Sequence, residues 1–162
     1  MEGVVIAVSI SEHKGTKKSN VDQVHLEEEH GLSGDAHAGP GHRQVSLLAL
    51  ESIEKMRKKG VDVSPGDFAE NITTQGIDLG GLPLGSQLQI GEEVQLILTQ
   101  IGKECHNRCA IYYQVGECVM PIEGLVARVV RGGLIRPGDP VKVTLPGQGT
   151  PADPPFRERN QE

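Results

Sequence analysis

The sequence predicts a mainly β fold, a β-barrel carrying a few short helices, and three observations lead there. Short apolar runs with strand-like alternation recur along the chain, and glycines mark the corners between them. Glycine is used 21 times and proline 10 times, which favours short elements and tight turns over long helices. Aromatic residues are scarce, with two Phe, two Tyr and no Trp, so Val, Ile and Leu must build the core. The 162 residues suffice for one domain with a real core. That domain is expected over 1–145, followed by a flexible, polar, proline-rich tail over 146–162.

Val4 to Ile10 reads as a buried strand, and a polar, lysine-rich loop follows over 11–20. Val21, Val24 and Leu26 give a modest strand signal within 21–29. The stretch 31–44, GLSGDAHAGPGHRQ, packs four glycines and a proline into fourteen residues. It is too irregular for an element and too long for a turn, which marks a candidate functional loop. The pattern then predicts a helix over 46–60, capped by Ser46, with Leu47, Leu50, Ile53 and Met56 along one face. A basic last turn and Gly60 close it. Residues 66–78 open as a turn and end in a short strand, and 86–100 reads as a hairpin divided at Gly91. A second hairpin is expected over 124–145, with Val126, Val129 and Leu134 ahead of a Pro137-Gly138-Asp139 turn.

A net charge of −6 argues against nucleic acid as the main partner, because phosphate contacts need a basic surface. No signal-peptide pattern opens the chain, and no apolar run approaches the roughly 20 residues that span a bilayer. Neither nucleic acid nor membrane is therefore an expected partner. Three cysteines, an odd number, without a secretion signal fit a reducing cytoplasm and argue against a structural disulfide.

The segment 102–111, GKECHNRCAI, poses the sharpest chemical question. Its cysteines can be read as a zinc site, a disulfide, a reactive thiol or a small apolar pair in a core. A zinc set of Cys105, His106, Cys109 and Cys118 has suitable ligand types, but its spacing departs from paired knuckles.

Six stretches bear on that choice together. They are 14–16 (KGT), 34–39 (GDAHAG) leading into 43–48 (RQVSLL), 66–72 (GDFAENI), 84–92 (LGSQLQIGE), 98–105 (LTQIGKEC) and 128–133 (RVVRGG) with 137–139 (PGD). In that order, over about residues 4 to 145, they resemble the MOSC domain, the family named after the C-terminal part of molybdenum-cofactor sulfurases. The resemblance implies a MOSC-like β-barrel and the pterin-based molybdenum cofactor. It implies sulfur transfer to that cofactor, or metal-centre chemistry on it, through a reactive cysteine. A sulfurase-like protein and a component of a molybdenum-dependent reductase both fit. A non-catalytic carrier for the cofactor or its precursor is the alternative. Some relatives are fused to a pyridoxal-phosphate desulfurase, but this chain has no room for one, so no pyridoxal phosphate is expected on it. A cysteine desulfurase or a cofactor-biosynthesis protein is the partner implied.

On this resemblance Cys105 takes the position of the family cysteine, as ligand to molybdenum or carrier of a persulfide. Cys109 is the second candidate, since other branches carry a pair like Arg108-Cys109. Both roles need a thiolate, and Lys103, His106 and Arg108 are the nearby cations that would favour it. In the glycine-rich loop, Arg43 and His37, with Asp35, would meet an anionic group approached by backbone N–H groups. Glu70 and Asn71 would hydrogen-bond the pterin edge. Equally, Asp67 would cap a turn there and Asn71 would supply a left-handed residue. Lys14, Thr16, Lys103 and Arg128 complete the set of candidate anion contacts.

Overall fold

A computed structural model of the chain describes residues 2–13, 17–36, 38–41, 44–101 and 124–145, without the side chain of Leu145. Eleven strands, one α-helix and one 3₁₀ turn make up these residues. The strands are β1 (Glu2–Ile10), β2 (Ser19–Val21), β3 (Val24–Glu27), β4 (Gly31–Leu32), β5 (Val45–Ala49) and β6 (Ile72–Gln75), then β7 (Gln87–Ile90), β8 (Val94–Ile101), β9 (Leu125–Arg131), β10 (Gly133–Ile135) and β11 (Pro140–Leu145). The helix is α1 (Leu50–Lys58), and the 3₁₀ turn covers Leu79–Gly81. No helix among the described residues is long and apolar enough to cross a membrane.

The strands run in the order β11-β7-β8-β9-β5-β6-β1, and β1 returns to pair with β11, so the sheet closes into a barrel. The expected β-barrel is thus what the chain forms. Closure brings Gly3 opposite Val141 and Val4 opposite Pro140. Gly3 is needed there, since a Cβ would stand 2.6 Å from the Gln75 carbonyl oxygen. Inside, Val5, Val8, Val45, Leu47, Ile72, Leu88, Ile90, Leu96, Leu98, Ala127 and Val129 form the core. The aliphatic interior predicted from the shortage of aromatics is therefore present. A small sheet of β10, β3 and β4 adds Val24, Leu26, Leu32 and Ile135 to the same core.

The β7–β8 hairpin follows the sequence pattern closely. Ile90 pairs with Val94 around Gly91, and burial alternates along β7 and the first half of β8, before Leu98, Thr99 and Gln100 are buried in a row. Two other expectations are corrected. Residues 45–49 are strand β5, so Ser46 caps nothing and the helix begins only at Leu50, behind Ala49. The run Val-Ser-Leu-Leu-Ala is almost wholly buried because both its faces are covered. Val45 and Leu47 point into the barrel, while Leu48 joins Ile53, Met56, Val61, Val63 and Phe68 beneath the helix. Such a continuous apolar run does not announce its own period. The helix does end as predicted, with the Gly60 N–H returning to the Arg57 carbonyl.

The second correction concerns 124–145. The turn at Pro137-Gly138-Asp139 forms, but the strands beside it do not pair with each other. β9 lies between β8 and β5, β10 pairs with β3, and β11 pairs with β7 and β1. The turn docks on β1 instead, through Val5 N–H to the Asp139 carbonyl and Gly138 N–H to the Val5 carbonyl. Closing the barrel takes β11 away from its sequence neighbours.

Truncating Leu96, fully buried between β7 and β9, should cost about 2–5 kcal/mol as Leu96→Ala. Urea unfolding measures it, and a loss below about 1 kcal/mol would mean that the interior is loosely packed.

Candidate functional site

Three loops gather on the outside of the barrel where β1, β5 and β6 meet, and Asn71 is their common point. It precedes β6, and its peptide N–H donates to the Ser46 carbonyl at 2.9 Å while its carbonyl accepts the Ser9 N–H at 2.8 Å. Its side chain repeats the connection: Oδ1 accepts the Ser46 N–H at 3.0 Å, and the amide nitrogen donates to the Ser9 carbonyl at 3.1 Å. Ser46, which reads as a helix cap in the sequence, is instead the strand partner of this asparagine.

The segment 64–70 folds over that clamp. Asp67 accepts the Ser64 N–H at 2.9 Å and so caps the turn, whereas the left-handed residue is Ala69 (φ 64), not Asn71. Gly66 (φ 95) lies against the Lys18 carbonyl so closely that a Cβ would collide with it. Glu70 has no exposed surface. Its carboxyl accepts the Phe68 N–H at 3.2 Å and the Thr73 hydroxyl at 2.9 Å. Burial pushes this carboxyl above its ordinary 4.5, against the pull of donors from Gly66, Glu70 itself, Thr73 and Phe68.

The glycine-rich loop is fastened at both ends. At its start, Asp35 accepts the Lys18 ammonium at 2.7 Å and the Ser11 N–H at 3.0 Å. Burial alone would raise the Asp35 carboxyl, but the Lys18 bond and charge, the Ser11 N–H and the Asn71 amide together hold it below 3.8. At its end, buried Gln44 reaches three ways. Its oxygen accepts the Val129 N–H at 2.9 Å, and its nitrogen donates to the Gly41 carbonyl at 2.8 Å and toward Glu29 Oε1 at 3.4 Å. Between these posts, Gly39 (φ 155) and Gly41 (φ 117) have nothing within 4 Å of where a Cβ would stand. Arg128, on the outer wall of β9, has Nε 3.0 Å from Glu29 Oε1 without the alignment of a hydrogen bond.

Among the predicted site residues, Asp35, Glu70 and Asn71 therefore come together, buried and bonded to protein groups. Arg128 stands apart, across Gln44 and Glu29 from the open glycines. His37, Arg43, Lys103, Cys105 and Cys109 lie outside the described residues, as do Lys14 and Thr16 and the zinc candidates His106 and Cys118. The strands that bound 102–123 end in register with the clamp: Ile101 pairs with Leu125, and Val126 pairs with both Gln100 and Ser46. Sequence reading missed Lys18, Gln44 and Ser46. Lys18 falls in the polar loop 11–20 and Gln44 at the end of the glycine-rich stretch, where residue type alone gives no sign of burial, and only the tertiary fold desolvates them.

No cluster of three or more His, Cys, Asp or Glu side chains suited to a metal occurs among the described residues. Gly39 and Gly41 leave room beside the backbone for an anionic group, although the Gly39 N–H is already given to the His30 carbonyl, and anchored side chains stand at either end. The family model of the MOSC domain matches residues 24–142. The chain is a member of the MOSC domain family. In fold it is similar to the YuaD protein of Bacillus subtilis, at 20% identity and a TM-score of 0.73 over 87% of this chain and 94% of that one. It is also similar to YiiM of Escherichia coli (20% identity, TM-score 0.62, 92% of this chain and 75% of that one). YiiM of Geobacillus stearothermophilus matches at 19% identity and a TM-score of 0.61, over 98% of this chain and 84% of that one. No curated protein matches the chain in sequence.

The raised Glu70 carboxyl gives stability that is complete below the ordinary value of 4.5 and is lost as pH rises through the higher folded-state value. Glu70→Gln removes that dependence. The variant should gain on wild type as pH climbs from 4.5 toward 8, read as the difference in urea midpoints. A difference that stays flat with pH would show that burial does not perturb this group.

Proposed function

We propose that this MOSC domain handles the molybdenum cofactor, gripping its anionic part at the glycine-rich loop and presenting a cysteine thiolate to its metal. The observation that carries this reading is the loop itself: buried side chains hold both its ends, and its glycines leave the backbone open between them. The Gly39 N–H is already given to the His30 carbonyl, so an anionic group would approach on the Gly41 side of the loop, where Arg43 with His37 would supply charge and direction. Lys103 and Arg128 are the further cations of this proposal. Cys105, with Cys109 as the alternative, would be the thiolate, either as a metal ligand or as the acceptor of sulfur from a desulfurase partner. When bound, the cofactor supplies the redox-active metal centre; the chain's own part is to bind, orient and shield it. Asp35, Glu70 and Asn71 serve by holding the loops in place.

A second reading, a carrier without chemistry of its own, is favoured by a specific feature. The buried carboxylates Asp35 and Glu70 both accept hydrogen bonds from protein groups, as befits structural posts and not proton donors to a ligand.

Purification from a host that makes the cofactor, followed by metal analysis and pterin fluorescence, tests the proposal. Wild type should carry both molybdenum and pterin. Arg43→Ala should retain about tenfold less, the loss expected of one charge-assisted contact. Cys105→Ser should keep the pterin but lose the fast thiol alkylation at neutral pH that marks an acidic cysteine. Absence of pterin from every wild-type preparation would end the proposal. Slow alkylation at Cys105 in cofactor-free wild type would favour the carrier.

A further inference from the structure

Burying a full positive and a full negative charge together is costly, and a well-packed apolar pair often serves stability as well. Lys18 and Asp35 are nonetheless such a pair, both side chains without exposed surface. They form a closed ring with Ser11. Asp35 accepts the Ser11 N–H at 3.0 Å, Lys18 donates to the Ser11 hydroxyl at 3.0 Å, and the Ser11 carbonyl accepts the Ala36 N–H at 2.8 Å. Ala36 is the first residue of the glycine-rich loop past this ring. The next links follow from it: the Ala38 N–H donates to the Asp35 carbonyl, and the Gly39 N–H to the His30 carbonyl at 2.8 Å. The direction in which residues 38–41 leave the barrel is therefore set where Asp35 meets Ser11.

We propose that Asp35 is a positioning residue for the glycine-rich loop, with Lys18 as its buried counter-charge, and that neither side chain touches the ligand. What the loop binds rests on the function proposed above, but its placement can be read without any ligand. The decisive feature is the acceptor oxygen given to Ser11, not the charge as such. Two neutral pairs separate these roles: Lys18→Met with Asp35→Asn keeps an oxygen there, and Lys18→Met with Asp35→Leu does not.

The experiment compares amide hydrogen exchange at Ala36 and Gly39 in wild type, Lys18→Met and both double variants, with Leu88 and Leu96 of the β7–β8 hairpin as internal reference. Pterin content is measured on the same preparations. Lys18→Met should speed exchange at Ala36 and Gly39 by about tenfold or more, because the buried Asp35 loses its lysine counter-charge, while the hairpin is unchanged. The Asp35→Asn double variant should return both exchange and pterin content toward wild type. The Asp35→Leu double variant should recover thermal stability but neither of the other two. Equal behaviour of the two double variants would overturn the proposal and leave the pair a general stabiliser. Should Lys18→Met alone fail to fold, the double variants still decide. Failure of both to fold would also overturn it, placing the pair in the folding of the whole domain. A wild type devoid of pterin would count against the proposed function, and the exchange comparison would still judge the loop.

Discussion

Asn71 stands where β1, β5 and β6 come together, and its amide side chain joins the first two strands before the third begins. One carboxamide carries a donor and an acceptor in the same geometry as a peptide, so it can extend a sheet by one pair. Here it bonds the Ser9 carbonyl on one side and the Ser46 N–H on the other. The peptide of the same residue bonds both neighbours again. Four hydrogen bonds from one residue fix the corner on which all three loops rest. Ser46 is thereby held as strand, and the turn through Gly66 is laid across Lys18 and Asn20. Without this corner the loops would have no common frame.

Two carboxylates are buried beside that corner, and the chain solves their desolvation in opposite ways. Asp35 receives a lysine, which offsets the lost hydration with charge and keeps the ionised form favoured. Among the described residues Glu70 receives N–H and hydroxyl donors, which fall short of compensating burial, so its protonated form gains ground. The ionised Asp35 supports the fold down to acid pH, while Glu70 supports it best when the solution is mildly acidic. The two neighbouring groups thus respond to pH with opposite sign.

Local patterning made part of this legible from sequence. The β7–β8 hairpin could be read because alternation and Gly91 are both local signals, and the stop of α1 at Gly60 was equally local. The start of α1 could not, because Val45 to Ala49 is apolar on both faces and its period shows only once β6 and β9 flank it. The turn at Pro137 to Asp139 was readable, but the partners of β9, β10 and β11 were not, since barrel closure joins residues more than a hundred positions apart. The site divides the same way. Asp35, Glu70 and Asn71 drew notice as polar residues in glycine-marked stretches, but their burial is a property of the assembled corner. Lys18 and Gln44 gave no signal at all, because a lysine or glutamine side chain looks the same in sequence whether solvated or enclosed.

Gln44 carries one more consequence. By taking the Val129 N–H with its side chain while its own N–H bonds the Ala127 carbonyl, it locks the alignment of β5 on β9 at the exact exit of the loop. Asp35 does the equivalent at the entrance. The scaffold's alignment is thereby insulated from whatever lies between the two. The alignment of β5 on β9 therefore rests on bonds between Gln44 and β9, none of which runs through residues 38–41. The barrel thus works as a socket whose seat is built apart from its rim.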